Sequence, residues 1–192
     1  TDGKNIRFIN MTSLNIAIIG SGTAGLAAAA YLARDGHKVQ VFERFETPQP
    51  LGAGLLLQPT GLACLANLGL DEKAILAGAK INNLYGKTAR GKVIFDITYQ
   101  NLKQHYFGLG LHRGMLFSIL HEEVKRLAIP IRTSCEIIST YIHEGARFIE
   151  NKARKEFGPF DLVIDASGMK SRLRPDNLVR LNKPYPYGAI WG

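Results

Sequence analysis

The pattern of apolar, small and polar residues is clearest between residues 15 and 43. The apolar run Asn15–Ile19 contains three isoleucines, which is typical of a strand buried on both faces. Glycines follow, and then an alanine-rich segment, residues 26–34, which favours a helix packed against a sheet. Gly36 lies where such a helix usually ends. Residues 39–42 predict a second strand, with Glu43 at its carboxyl end.

The pattern predicts further strands and helices along the rest of the chain. A leucine run before Pro59 predicts a short buried strand within residues 51–58, and Thr60 is expected to cap a helix that runs to Asn67. Residues 81–110 alternate apolar and polar side chains around a turn at 90–92, which indicates an antiparallel hairpin. Two more helices are predicted at residues 71–78 and 115–127, and more strands at 131–134, 137–142, 147–149 and 160–165.

Three glycines stand between the first predicted strand and the first predicted helix, in the spacing G-x-G-x-x-G. Gly20 permits a tight turn, Gly22 lets the backbone approach a pyrophosphate, and Gly25 lets helix and strand pack closely. Such a motif alone is weak, because glycine-rich turns without ligands are common. Here strand, turn, helix and second strand follow one another within a unit of about 30 residues. The order favours a nucleotide site over a bare turn.

Glu43 decides which nucleotide this unit is expected to bind. An acidic residue about 20 positions after the first glycine accepts hydrogen bonds from ribose hydroxyls and repels a 2′-phosphate. The sequence therefore predicts a ligand with an adenosine diphosphate moiety that lacks a 2′-phosphate. FAD and NAD both meet this description, with the phosphates at the helix N-terminus.

Composition sets the broad class of the protein. The chain has 192 residues, of which 46% are hydrophobic and 21% charged, as in ordinary globular proteins. No apolar run approaches the ~18 residues that a membrane-spanning helix needs. The two cysteines, Cys64 and Cys135, are far apart, so a disulfide is disfavoured and a cytoplasmic location is expected.

The net charge of +8 bears on the kind of molecule that the protein binds. Lysines and arginines are scattered and form no stripe interleaved with aromatic residues, which disfavours a nucleic-acid surface. Solvated surface, or an interface with an acidic partner, accounts for the excess equally well. His121 and Glu122 lack the spacing of a zinc motif and are expected on a solvated helix face.

These patterns divide the chain into five segments. Residues 1–13 are expected to be an expression remnant or an N-terminal arm, and residues 14–80 a nucleotide-binding βαβ unit with its following elements. Residues 81–110 form an antiparallel β excursion. Residues 111–180 continue the nucleotide-binding domain, and residues 181–192 form an extended tail.

Three blocks of sequence resemble the N-terminal part of the flavin-dependent aromatic hydroxylases of the para-hydroxybenzoate hydroxylase type, the class A FAD monooxygenases. The first is the glycine turn, including Ala24, with Glu43-Arg44. The second is Gly52-Ala-Gly54 with its leucines, the helix ending Leu68-Gly69-Leu70, and Arg113. The third is residues 161–174, which resemble the family's D-G fingerprint. Together the blocks span residues 14–174.

This resemblance implies an α/β fold: a Rossmann-like FAD-binding domain with a mostly parallel sheet and an antiparallel β excursion. It implies that FAD binds, that NAD(P)H and O₂ are co-substrates, and that a small aromatic compound is hydroxylated. Glu43 would hold the adenosine ribose, Arg113 would approach the pyrophosphate, and Gly54 and Leu55 would pass the isoalloxazine ring. The implied cofactor-binding residues are Gly20, Gly22, Ala24, Gly25, Glu43, Arg44, Gly54, Leu55, Arg113, Asp165 and Gly168.

The chain departs from the family pattern in two places. Ser167 stands where the family commonly has Asp, with an acid two positions earlier at Asp165. A serine there can still donate to a phosphate, but the local charge is changed. The family's later Gly-Asp fingerprint has no counterpart before Gly192. We therefore expect about half of an enzyme, which does not hydroxylate alone and is completed by a second chain or an oligomer. An FAD-dependent reductase or halogenase, and a truncated non-catalytic nucleotide-binding subunit, are the alternatives.

Overall fold

The structure is a computed structural model that describes residues 12–48, 53–102, 106–169, 171–175, 177, 179, 183 and 186–188. Its helices are α1 (Thr23–Arg34), α2 (Pro59–Asn67), α3 (Asp71–Ala77) and α4 (Arg113–Arg126), with a 3₁₀ turn at Tyr99–Asn101. Its strands are β1 (Asn15–Ile19), β2 (Lys38–Phe42), β3 (Gly54–Leu57), β4 (Ala79–Ile81), β5 (Asn83–Lys87), β6 (Val93–Thr98), β7 (Gly108–His112), β8 (Ile131–Arg132), β9 (Ile137–His143), β10 (Ala146–Asn151), β11 (Glu156–Phe160) and β12 (Leu162–Asp165).

A four-stranded parallel sheet in the order β12-β1-β2-β8 forms the centre of the fold. Because side chains alternate along a strand, β1 buries Ile16 and Ile18 in one cluster and Ala17 and Ile19 in another. The first cluster includes apolar residues of α1 and α4, and the second includes residues of β9, β10 and β11. The predicted burial of the first strand on both faces is confirmed.

Three antiparallel sheets accompany the parallel one: β3-β7-β4, the hairpin β5-β6, and β11-β10-β9. The hairpin confirms the predicted excursion, and its turn contains Gly91 at a φ of 83°. The α/β class with a parallel Rossmann-like sheet is confirmed. The antiparallel part is larger than a single excursion, because the strands predicted after residue 131 pair mainly with one another.

Several predicted boundaries were wrong. Helix α2 begins at Pro59, with Gln58 as its N-cap, so Thr60 lies inside the helix. Helix α4 begins at Arg113, two residues before the predicted start, because the His112 side chain caps it: Nδ1 accepts from the Gly114 backbone N–H at 3.1 Å. The arm predicted within residues 1–13 falls almost wholly outside the described residues.

The predicted strand at residues 160–165 is divided between β11 and β12 at Asp161. There the chain is tied to the start of β1: Asn15 N–H donates to Asp161 Oδ2 at 2.7 Å, and Asp161 N–H donates to the Asn15 carbonyl at 2.9 Å. β11 consequently pairs with β10, whereas β12 pairs with β1. In the part of the chain that the structure describes, no helix has the length and apolar character needed to cross a bilayer.

The ion pair within α4 predicts a pH effect on stability. Glu123 is 5% exposed, and the hydrogen bond from Arg126 chiefly lowers the pKa of its carboxyl below the ordinary value of 4.5. A carboxyl whose pKa is lower in the folded state stabilises the fold above its unfolded pKa, and this contribution is lost as pH falls below about 4.5. Between about pH 5.5 and about pH 3 the urea midpoint should fall more for the parent than for Glu123→Gln, because the pKa of the folded state lies below 4.5. An equal change of the urea midpoint with pH in the parent and in Glu123→Gln would contradict the stabilising role of the Glu123–Arg126 pair.

Candidate functional site

A cleft of about 480 Å³ opens where β1, β2 and β12 end. Ligands of open α/β sheets bind outside the carboxyl ends of the parallel strands, so the cleft has the expected position for a nucleotide site. Six of the eleven predicted cofactor-binding residues line it: Gly20, Gly22, Glu43, Arg44, Arg113 and Gly168. The tertiary structure therefore brings all three sequence blocks to one place.

The three glycines of the turn have different surroundings. Gly20 has a φ of 102°, and a Cβ on it would lie 2.6 Å from the Ala166 carbonyl oxygen. A Cβ on Gly25 would lie 2.0 Å from the Gly20 carbonyl oxygen. A Cβ on Gly22, by contrast, meets nothing within 4 Å. Gly20 and Gly25 are thus required by the fold, whereas Gly22 leaves open space at the cleft.

The N-terminus of α1 faces this open space. Gly22 is the N-cap, and among the described residues no side chain caps the first turn, which also contains no acidic residue. The first backbone N–H groups of a helix lack intrahelical partners and attract anions. Because Gly22 and Thr23 both line the cleft, this uncapped end fits the phosphates of a dinucleotide.

Glu43 directly follows β2, lines the same cleft and is 7% exposed. Its Oε2 accepts from the Ser21 backbone N–H at 2.8 Å and from the Ser21 hydroxyl at 2.7 Å. Its Oε1 accepts from the Phe45 backbone N–H at 3.0 Å. These three donors replace the hydrogen bonds to water that a buried carboxylate loses.

Asp165 ends β12 and is tied to the following turn. Its Oδ1 accepts from the Ser167 N–H at 3.0 Å and from the Ser167 hydroxyl at 2.5 Å, and its Oδ2 accepts from the Ser171 hydroxyl. Partial burial raises the pKa of Asp165, but these hydrogen bonds and the charge of Arg174 outweigh burial and hold it below its ordinary value. The ionised carboxylate therefore accepts a hydrogen bond from each of the two hydroxyl groups.

This network corrects the expectation that Ser167 donates to a phosphate. A hydroxyl has a single proton, and that of Ser167 is directed to Asp165. Ser167 and Ser171 line the cleft, and their hydroxyl oxygens retain acceptor capacity only. A ligand hydroxyl suits this side of the cleft better than a phosphate does.

Three arginines, Arg44, Arg113 and Arg172, line the cleft with Glu43 and Glu136. The Arg44 guanidinium lies 4.6 Å from the centre of the Phe45 ring, an arrangement that holds the charge in place. Arg113 is placed by the capped start of α4, and its backbone N–H donates to the Ala53 carbonyl at 3.2 Å. The positive groups complement an anionic ligand.

The structure does not bring every predicted residue into the cleft. Ala24 and Gly25 lie within α1 and do not line the cleft, and Ala24 is exposed whereas Gly25 is buried. Gly54 and Leu55 belong to β3, where Leu55 packs against the main core. Asp165 lines a smaller cleft of about 280 Å³ on another side of β12, with Arg147 and Asp161. The short strand predicted within residues 51–58 corresponds to β3 (Gly54–Leu57), and residues 49–52 are outside the described residues.

Sequence reasoning missed Ser21, Phe45 and Cys135, which also line the cleft. The sequence does contain a signal for Ser21. It is the polar residue between the first two glycines of the motif, and the motif predicts an acidic residue at the end of the next strand. Cys135 has no such signal, since its N–H reaches the Glu43 carbonyl only through the pairing of β2 with β8. Burial raises the pKa of the Cys135 thiol, and both cysteines are free.

The contact at Gly25 predicts a loss of stability. Gly25→Ala places a methyl group 2.0 Å from the Gly20 carbonyl oxygen. The backbone must move to relieve this clash. We expect a loss of about 3 kcal/mol or more in the free energy of unfolding, measured by urea titration. Gly22→Ala is the matched control, because its methyl group meets open space. Equal stability of the two variants would contradict the tight helix–turn contact.

Comparison with known proteins agrees with this geometry. A family model described as FAD binding domain matches residues 13–177. Hispidin-3-hydroxylase of Neonothopanus nambi is 44% identical over 169 residues, which cover 84% of this chain and 39% of that protein. 3-Hydroxybenzoate 6-hydroxylase 1 of Aquipseudomonas alcaligenes is 31% identical over 131 residues, 65% of this chain and 33% of that protein.

Among solved structures, 2-methyl-3-hydroxypyridine-5-carboxylic acid oxygenase superposes with a TM-score of 0.73 at 21% sequence identity. The match covers 85% of this chain and 42% of that one, and it supports the fold. The chain thus spans about two fifths or less of the length of these proteins.

Proposed function

The chain belongs to the FAD binding domain family, and from this premise we propose that it is the FAD-binding part of an NAD(P)H-dependent flavoprotein monooxygenase. The observation that carries the proposal is the juxtaposition in one cleft of the uncapped N-terminus of α1, the open space at Gly22 and the buried Glu43 carboxylate. An anion site next to a ribose acceptor suits the adenosine diphosphate half of FAD.

The residues present fit this cofactor. Gly22 and Thr23 would offer backbone N–H groups to the pyrophosphate, and Glu43 would accept from the adenosine ribose. Arg44, Arg113 and Arg172 would balance the phosphate charge from the walls of the cleft. The hydroxyl groups of Ser167 and Ser171, which both donate to Asp165, would accept a hydrogen bond from a hydroxyl of the ribityl chain.

The chemistry of the reaction would come from the cofactor. The isoalloxazine ring, when FAD is bound, supplies the redox chemistry between NAD(P)H and O₂ that side chains do not provide. The protein residues bind and orient it, and the buried apolar clusters on both faces of the parallel sheet keep the cleft walls rigid. No catalytic acid or base is assigned to this chain.

We further propose a small aromatic substrate, supported by the motif resemblance to aromatic hydroxylases. A cytoplasmic location is proposed because Cys64 and Cys135 are both unpaired. Completion of the fold by a second segment, a second chain or an oligomer is likewise a proposal, supported by apolar side chains that the β5-β6 hairpin exposes, such as Ile94 at 64%.

The test is reconstitution of the purified chain with FAD, followed by gel filtration and the flavin absorption spectrum. We expect flavin to co-elute with protein, and added ADP to displace it. With NAD(P)H and an aromatic acid, the chain alone is expected to give no hydroxylated product, and stoichiometric product would contradict the proposal that a second segment, a second chain or an oligomer completes the fold. Failure of FAD and ADP to bind would contradict the proposed function.

A further inference from the structure

The geometry points to a specific role for Ser21: we propose that it is a positioning residue that holds the Glu43 carboxylate for the ribose of the cofactor. The inference rests on the proposed function. Ser21 follows β1 and Glu43 follows β2, so their contact joins the ends of two neighbouring strands, next to the Gly20 N–H···Phe42 carbonyl bond of 2.8 Å. Within the described part of the chain, Ser21 supplies two of the three donors to the Glu43 carboxylate.

Ser21 acts through Glu43 and not on the ligand directly. It is only 2% exposed, and both its backbone N–H and its hydroxyl proton are directed to Glu43 Oε2. Neither donor is therefore available to a phosphate. The phosphate-facing donors of the turn are left to the first residues of α1, where Gly22 is open to the cleft.

The hydrogen bonds from Ser21 and Phe45 also determine how many acceptor sites of the Glu43 carboxylate remain for a ligand. A carboxylate has about four acceptor sites, and Ser21 and Phe45 occupy three of them. The remaining capacity is on Oε1. With Oε2 bound twice, the carboxylate cannot turn toward Arg44 or Arg113, which line the same cleft. It also cannot turn away from the extra negative charge of a 2′-phosphate, so Ser21 strengthens the discrimination against such ligands.

The test compares Ser21→Ala with the parent chain by calorimetric titration of ADP, 2′-phospho-ADP and pyrophosphate. We expect ADP to bind about ten-fold more weakly to the variant, because Glu43 loses one donor and gains rotational freedom. The preference for ADP over 2′-phospho-ADP should narrow. Pyrophosphate, which has no ribose, should bind both proteins equally.

Two further variants test the same point. Ser21→Thr keeps the hydroxyl group and should retain the ADP affinity that Ser21→Ala loses. In a Glu43→Ala background, Ser21→Ala should have no further effect on ADP, because the hydroxyl acts through a carboxylate that is no longer present. If Ser21→Ala does not fold, Ser21→Cys replaces it, since the thiol is a weaker donor of similar size.

Distinct outcomes separate this inference from the proposed function. An unchanged ADP affinity in Ser21→Ala, with FAD still bound by the parent, would overturn the role of Ser21 alone. Parallel weakening of ADP and pyrophosphate would overturn it as well, because it would show that Ser21 shapes the phosphate-binding turn. A parent chain that binds neither FAD nor ADP would overturn the proposed function and this inference together.

Discussion

Replacing Gly22 with valine is expected to abolish FAD binding while the protein remains folded. The space beside Gly22 is empty for 4 Å around an added Cβ, and its φ of −71° with ψ of 179° is an extended conformation that valine adopts readily. The valine side chain would then occupy the cleft where the pyrophosphate approaches the N-terminus of α1. Several charge-assisted hydrogen bonds would be lost together, so we expect FAD affinity to fall by about a hundred-fold or more.

The measurement is flavin fluorescence quenching on titration of FAD, with far-UV circular dichroism and a urea unfolding curve for each protein. Gly36→Val is a useful control, because Gly36 also has open space but lies at the far end of α1, with a φ of 89°. That variant should lose stability from backbone strain and keep its intrinsic FAD affinity where folded. Retention of parent affinity in Gly22→Val would contradict a phosphate site at this turn.

Replacing Glu43 with alanine is expected to weaken FAD binding by about 1.5–3 kcal/mol, or roughly ten- to hundred-fold. The variant loses the charged acceptor of the ribose hydroxyl. It also leaves both donors of Ser21 and the Phe45 N–H without their present partner, so the free energy of unfolding should fall as well. The preference for ADP over 2′-phospho-ADP should narrow, because the repelling charge is gone.

Glu43→Gln distinguishes the loss of the negative charge from the loss of the hydrogen-bond acceptor of Ser21. The glutamine keeps one carbonyl oxygen for Ser21 and a similar volume, so it should preserve more stability than alanine does. Because glutamine lacks the negative charge, the affinity for 2′-phospho-ADP relative to ADP should still rise. Calorimetric titration with both ligands, at a urea concentration where every variant is folded, is the appropriate measurement. Parent-like selectivity in both variants would show that Glu43 does not contact the ribose.

Much of the fold was predictable because the signals are local. The run Asn15–Ile19 had to be a buried strand, since its isoleucines leave no polar face, and both of its faces are indeed buried. Gly36 ends α1 in the left-handed region, and Gly91 turns the hairpin in the same way. Boundaries were less predictable: α4 starts at Arg113 because a histidine caps it, which propensity scales do not anticipate.

The candidate site was predictable to a similar degree. Gly20, Gly22 and Glu43 were recognised from spacing alone, because a nucleotide-binding turn needs small residues and an acid at set intervals. The partner of Ser167 was not predictable, since the sequence does not show that Ser167 and Ser171 both donate to Asp165. The assignment of all eleven residues to FAD remains a prediction.

The sequence by itself determined the βαβ unit, the glycine turn and the acidic residue after β2, because each depends on the conformational or chemical properties of residues close together in the chain. Only the tertiary structure decided what encloses Gly20, because the Ala166 carbonyl oxygen beside it directly follows β12, more than 140 residues later in the chain. The contact that encloses Gly25, by contrast, is with Gly20 of the same turn. The tertiary structure also decided that Ser21 holds Glu43, because side-chain partners across neighbouring strands are set by the register of the sheet and not by spacing along the chain.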